Sequence, residues 1–126
     1  MLTYLDTHTA LWLANGSRDE LSATALENIE RATELRISPI VLFEADLLHE
    51  IGRIKIGVDE LTRILLFDFE VSVCPMPFTE VVQASRGEVW TRDPFDRLIV
   101  AQAKAGGGKL ITKDRRIHAN FSGAIW

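Results

Sequence analysis

Four acidic residues stand where a carboxylate could do chemistry: Asp6, Glu44, Asp96 and Asp114. Asp6 ends the apolar run Leu2–Leu5, and Asp114 follows the apolar run Lys109–Thr112. Each has an ordinary alternative as a turn or helix-cap acid. Asp96 belongs to the stretch D-P-F-D-R-L-I-V-A-Q-A-K-A, residues 93 to 105. There Asp93 is an N-cap and Pro94 fits the first helical position. Asp96 falls at N3, at the positive end of the helix dipole. Its ordinary alternative is the acid of a capping box. Glu44 is harder to set aside, because it sits among Ile40, Phe43, Leu47, Leu48 and Ile51 at helical spacing. An inward acid is costly to bury unless it pairs with a cation or serves a site.

Gathered in one place, four carboxylates repel, and some take up protons unless a cation compensates. Hard divalent ions, Mg²⁺ or Mn²⁺, prefer carboxylate oxygens and keep waters for chemistry. The fold expected from the rest of the chain brings the four together. Short strands are predicted at Leu2–Leu5, Leu35–Ile37, Val71–Val73 and Lys109–Thr112, with a last one within Gly123–Trp126. Helices are predicted at Thr9–Ala14, Ser22–Leu35, Pro39–Ile51, from Val58 to Phe69, from Glu80 to about Arg86 under a Thr79 cap, and across 93 to 105. The glycines 106 to 108 stop the last of these. Arg115–Asn120 reads as a turn or short helix, and Gly52–Gly57 as a basic turn. The alternation specifies an α/β domain with a central, mainly parallel sheet of four to five short strands. In such a sheet, ligands gather beyond the carboxyl ends of the strands. Asp6 and Asp114 lie at two such ends. Asp96 opens a helix on that side, and Glu44 lies one to two turns into a helix that follows another strand.

The 126 residues suit one domain, 1–126, with roughly two-thirds of its unfolded surface buried. The apolar runs are too short to cross a bilayer, and the N-terminus lacks the basic region of a signal peptide. A net charge of −4 argues against a protein that coats nucleic acid by charge alone. It leaves open nucleic-acid chemistry at a metal site, where the ion reverses the local field. The single cysteine, Cys74, permits no internal disulfide and suits a reducing cytoplasm; without a base beside it, it reads as a buried thiol. His8, His49 and His118 have no zinc-ligand spacing and read as surface or packing residues. The triple glycine lacks the Gly-Lys-Ser/Thr ending of a phosphate loop, and no G-x-S-x-G elbow is present.

The chain resembles PIN-domain proteins, specifically the VapC-like toxin ribonucleases of type II toxin–antitoxin pairs. The matching pieces are Y-L-D-T-H-T-A-L-W, S-P-I-V-L-F-E with G-R-I-K-I, D-P-F-D-R-L-I-V-A-Q-A, and L-I-T-K-D, in family order over nearly the whole chain. The family's acidic site maps onto Asp6, Glu44, Asp96 and Asp114, with Asp93 a cap or outer-shell acid. One departure is visible. Many relatives carry a His shortly before D-P-F-D, where this chain has Trp90-Thr91-Arg92. The resemblance implies a PIN-like α/β/α sandwich and a cytoplasmic Mg²⁺- or Mn²⁺-dependent endoribonuclease. It also implies a homodimer and a small VapB-like antitoxin that blocks the site in a higher assembly.

The expected reaction is metal-assisted hydrolysis of an RNA phosphodiester. Asp6 and Asp96 would hold the main ion, and Asp114 and Glu44 would complete a second site or orient the water. Thr7 and Thr112 are candidates to orient their acid neighbours. Arg97, Lys113, Arg115 and Arg116 are candidates for phosphate contact or for plain surface charge. Two other classes fit less well. A non-catalytic PIN-like module that binds RNA or a partner has no need of four gathered acids. An aspartyl-phosphate protein would use Asp6, but Asp6-Thr7-His8 lacks the second Asp of the D-x-D phosphatase signature.

Overall fold

The computed structural model describes residues 1–126. Its elements run β1 (Leu2–Leu5), α1 (Thr7–Ala14), a single 3-10 turn at Arg18–Glu20, α2 (Ala23–Arg31), β2 (Glu34–Ile37), α3 (Pro39–Glu50) and α4 (Val58–Phe69). They continue with β3 (Val71–Val73), α5 (Phe78–Ser85), α6 (Pro94–Ala105), β4 (Lys109–Ile111), α7 (Arg115–Asn120) and β5 (Ala124–Ile125). The five strands form one sheet in the order β3-β2-β1-β4-β5, and every neighbouring pair is parallel.

Both faces of this sheet are covered. Successive strand residues point to opposite faces, and Tyr4 with Leu5, like Leu110 with Ile111, is buried. That is the burial expected of parallel strands sandwiched between helices. The chain winds from β1 outward through β2 to β3, then returns across β1 to add β4 and β5. The reversal opens a crevice between the carboxyl ends of β1 and β4, the usual ligand position in open parallel sheets. β1 and β4 are in register there, with Leu5 opposite Ile111, and Asp6 N–H donates to the Ile111 carbonyl at 3.2 Å. Gly106 and Gly108 let the end of α6 lie against β1. A Cβ on Gly106 would stand 2.3 Å from the Tyr4 hydroxyl, and one on Gly108 would stand 2.8 Å from its ring.

Several expectations are corrected. Helix α1 starts at Thr7 rather than Thr9, because Asp6 caps it. Helix α2 ends at Arg31, short of Leu35, where Ala32 turns extended to feed β2. Thr79 lies inside α5, which starts at Phe78 after Pro77 and has no side-chain cap. The buried stripe of α3 is also different. Val41 and Ala45 face the core, while Phe43, Leu47 and Ile51 are exposed. Helix α3 is apolar on most sides, so periodicity alone does not select its inner face. Glu44 borders the true stripe, three residues from Val41 and four from Leu48. Cys74 is a buried free thiol, with its sulfur 3.3 Å from the Tyr4 hydroxyl.

Candidate active site

Each acid is set by a local feature of the chain. Asp6 leaves β1 in an extended conformation and caps α1, accepting the Thr9 N–H on one oxygen at 2.9 Å. The helix that it starts delivers Thr7 toward α3, where the buried Thr7 hydroxyl donates to Glu44. Asp93 caps α6 by accepting the N–H groups of Phe95 and Asp96, at 2.9 and 3.3 Å. Asp114 caps α7 in the same way, accepting those of Arg116 and Ile117 at 2.8 and 3.1 Å.

The two caps share a device. In Thr91-Arg92-Asp93 and in Thr112-Lys113-Asp114, a buried threonine hydroxyl accepts the N–H of the aspartate two residues on, each at 3.1 Å. This local bond fixes the backbone that enters the helix. Thr112 therefore orients Asp114 as expected, whereas Thr7 orients Glu44 rather than its neighbour Asp6. Because Thr91 already occupies the Asp93 N–H, Asp96 closes no capping box. Its half-buried carboxylate lines the cavity instead.

The capping geometry brings all four expected acids onto one cavity of about 420 Å³. Asp6, Glu44, Asp96 and Asp114 line it, together with Asp93, Thr7, His8, Trp12, Ile99 and Lys113. Five carboxylates thus face one another with one lysine among them. The electrostatic result is large at Asp96. Burial first, then the charges of Asp93, Asp114, Glu44 and Asp6, push its carboxyl up from 3.8 to about 7. Burial likewise raises Glu44; the Thr7 hydrogen bond and His8 oppose the rise, while Asp93 and Asp6 add to it.

The residues suit a hard divalent cation by the chemistry of the donors: five carboxylates, whose negative charge the single Lys113 does not balance. Asp6, Asp93 and Asp114 each spend one oxygen on a helix start and have a second without a protein donor. The carboxylates stand apart, and no three are drawn tightly enough to clasp an ion in this arrangement.

Of the basic candidates, Lys113 alone lines the cavity. Arg97 is tied to the Ser85 carbonyl at 2.9 Å, and Arg116 to the Trp90 carbonyl while it covers the Trp90 ring. The Trp90-Thr91-Arg92 departure thereby has a structural role. Trp90 donates to the buried Glu88 at 2.6 Å, Glu88 pairs with Lys104 at 2.7 Å, and Thr91 sets Asp93. Residue-by-residue reading missed His8 and Trp12 as cavity walls. They lie in the first and second turns of the helix that Asp6 caps, four residues apart, and that spacing was the available signal.

Comparison with known proteins identifies the family and the fold. The family model of the PIN domain matches residues 3–121. The chain is 33% identical over 117 residues to ribonuclease VapC22 of Mycobacterium tuberculosis, covering 92% of this chain and 89% of that protein. Among solved structures it is similar to a toxin–antitoxin complex from Klebsiella pneumoniae, at TM-score 0.67 and 20% identity over 98% of this chain and 96% of that one. It is also similar to VapBC2 from Rickettsia felis bound to a DNA fragment from their promoter, at TM-score 0.66 and 21% identity over 94% and 92%. At these identities the solved structures establish the fold, a parallel-sheet α/β/α sandwich, and the family rests on the first two matches. The chain belongs to the PIN domain family, among its VapC-like members.

Proposed function

We propose that residues 1–126 form a single-domain, divalent-cation-dependent endoribonuclease, the toxin of a type II toxin–antitoxin pair. The observation that carries the proposal is the convergence of Asp6, Glu44, Asp93, Asp96 and Asp114 on one cavity, with Asp96 raised to about 7 by burial first and then by the charges of its neighbours. Burying one acid among four others is a standing cost to folding, and a module that only binds RNA or a partner has no need to keep it. The likeness to a named ribonuclease at 33% identity supports the reaction class.

In this reading Asp6 and Asp96 hold the main Mg²⁺ or Mn²⁺, and Asp114 and Glu44 hold a second ion or orient water. When bound, the ion is a Lewis acid that offsets charge growing on the phosphoryl oxygens and eases deprotonation of a water. The chain's own residues do the rest. Glu44, held by Thr7, and Asp114, held by Thr112, are the carboxylates placed to accept a proton from the attacking water. Lys113 supplies the one lysine of the cavity for a substrate phosphate.

The partners follow from the same reading. A small VapB-like antitoxin covers the site, as the toxin–antitoxin complexes among the solved relatives suggest. The exposed ridge Phe43, Leu47 and Ile51 on α3 supports a homodimer, since large apolar side chains in a row mark association surfaces. Higher assemblies with the antitoxin build on that dimer. No helix is long and apolar enough to cross a membrane, and the reduced Cys74 suits the cytoplasm.

The test is cleavage of total cellular RNA by wild type and Asp96→Asn with Mg²⁺ and with excess EDTA. Cleavage by wild type alone, abolished by EDTA, supports the reading. Equal rates for the two proteins, or full activity in EDTA, overturn it.

A further inference from the structure

Outside the acidic cavity, five residues close a ring of polar contacts. Arg116, in the first turn of α7, donates to the Trp90 carbonyl at 2.6 Å. The Trp90 indole N–H donates to one Glu88 oxygen at 2.6 Å, and the other pairs with the Lys104 ammonium at 2.7 Å. Lys104, in the last turn of α6, also donates to the Asn120 carbonyl at 3.3 Å. The Asn120 amide returns to the Arg116 carbonyl at 2.8 Å. The ring thus runs through the loop before α6, the end of α6 and both ends of α7. Its acid is buried, with the Glu88 side chain only 6% exposed. A buried ion pair is weak evidence for stability, and its best-attested use is to fix one arrangement over others.

None of the five lines the acidic cavity, but two of them adjoin acids that do. Asp114 caps α7 by accepting the Arg116 N–H, so one helical turn carries both the carboxylate and the guanidinium. Trp90 precedes Thr91, whose hydroxyl sets the Asp93 N–H. No backbone hydrogen bond joins the start of α6 to the start of α7. The Arg116 side chain supplies the direct tie, between the turn that bears Asp114 and the loop that leads into Asp93 and Asp96. Three carboxylates that repel one another therefore stand on two helix starts held together from behind.

We propose that Arg116 is a positioning residue for the acidic site: by clamping Trp90 it sets the separation of Asp114 from Asp93 and Asp96, and with it the affinity of these acids for a divalent cation. The proposal rests on the reading of the acids as a cation site and adds what tunes that site. It also decides between the roles open to Arg116, since a guanidinium tied to Trp90 is not aimed at a substrate phosphate. The sign of the effect is diagnostic. Acting by charge alone, Arg116 would weaken the pull of the acids on a cation, and its removal would tighten cation binding. Acting as a clamp, its removal lets the acids spread and weakens binding.

The experiment measures Mn²⁺ binding to the full chain without RNA, from the loss of the free-ion signal in electron paramagnetic resonance. Arg116→Ala, at an exposed position that leaves the fold intact, is expected to bind Mn²⁺ about tenfold more weakly than wild type, the usual scale for support behind a ligand. Arg116→Lys, which keeps the charge and a donor, recovers part of that loss. Trp90→Phe removes only the indole N–H and weakens binding in the same direction. Combined with Arg116→Ala it adds less than its own effect, because both open one ring. In cleavage assays the Arg116→Ala defect is recovered by raising Mn²⁺, while KM for RNA at saturating Mn²⁺ stays at the wild-type value.

Unchanged or tighter Mn²⁺ binding by Arg116→Ala overturns the clamp, whether or not the melting temperature falls. A raised KM for RNA at saturating Mn²⁺, with a flatter salt dependence, overturns it in favour of a phosphate contact. Wild type that binds no Mn²⁺ and cuts no RNA overturns the cation reading itself, and the clamp with it.

Discussion

The buried Thr7 hydroxyl donates to the Glu44 carboxylate, joining the first turn of α1 to the middle of α3 beside the acidic cavity. The bond opposes the rise that burial imposes on Glu44 and occupies one of its two carboxylate oxygens. Thr7→Val leaves Glu44 half-buried without its donor. We predict a loss of about tenfold in Mg²⁺ affinity and in cleavage rate, the usual scale for a group that orients a ligand. Thr7→Ser, which keeps the hydroxyl, restores both. Metal titration and cleavage assays on the two variants check this.

Asp96→Asn has effects of opposite sign on function and stability. It removes the carboxylate most strongly coupled to the other acids. Cleavage falls by a hundredfold or more, because a ligand and its charge are lost. The metal-free protein at pH 7.5 melts at a higher temperature than wild type, because one member of a repelling set is gone. Calorimetry without and with Mg²⁺ separates the two effects.

Stability should also depend on pH in a stated direction. The Asp96 carboxyl moves from 3.8 in the unfolded chain to about 7 in the folded one. Between those values the folded chain binds more protons, so this group's contribution to stability falls as pH rises. It is greatest below about pH 4 and is lost by about pH 7 and above. Metal-free wild type therefore loses more stability between pH 5 and pH 8 than Asp96→Asn does. Saturating Mg²⁺ narrows the gap, since bound cation favours the ionised form. Thermal melts across that range check it.

Gly106 is required by a close approach, not by backbone freedom; its Cβ would stand 2.3 Å from the Tyr4 hydroxyl. The buried Tyr4 ring has little room to move, and burial has already raised its hydroxyl to about 12. Gly106→Ala is predicted to destabilise by about 1–3 kcal/mol, the range for overpacking a filled core. Urea unfolding measures this, with Gly107→Asn as a comparison, since Gly107 has open space and a φ of +72° that Asn tolerates.

The exposed ridge of α3 predicts the assembly state. Leu47→Asp, or Phe43→Asp, places a charge in the proposed dimer face and gives a monomer by size-exclusion chromatography with light scattering. The fold persists, because neither side chain is in the core. An unchanged mass would move the dimer interface elsewhere.

What could be read from residues alone follows a physical pattern. The strand and helix alternation, the Asp93-Pro94 helix start and the four acids were legible, because strand ends, N-caps and glycine stops are local chemistry. The acids needed one further rule, that a parallel sheet gathers its ligands at one rim, and all four line the same cavity. Helix faces were less legible. Helix α3 carries apolar residues on most sides, so only packing could select Val41 and Ala45 for the core and leave Phe43, Leu47 and Ile51 outside.

The sequence by itself determined a parallel α/β fold and an acidic site at Asp6, Glu44, Asp96 and Asp114, since both rest on local spacing and on fold-wide rules. Only the tertiary structure decided how the charges act. Burial, the adjacent Asp93 and three carboxylates distant in the chain raise Asp96 to about 7. Only the packed helices show that Thr7 serves Glu44. Hydrogen bonds and Coulomb interactions depend on distance in space, and residues 37 or more apart in the chain acquire that distance only when the sheet and helices close around them.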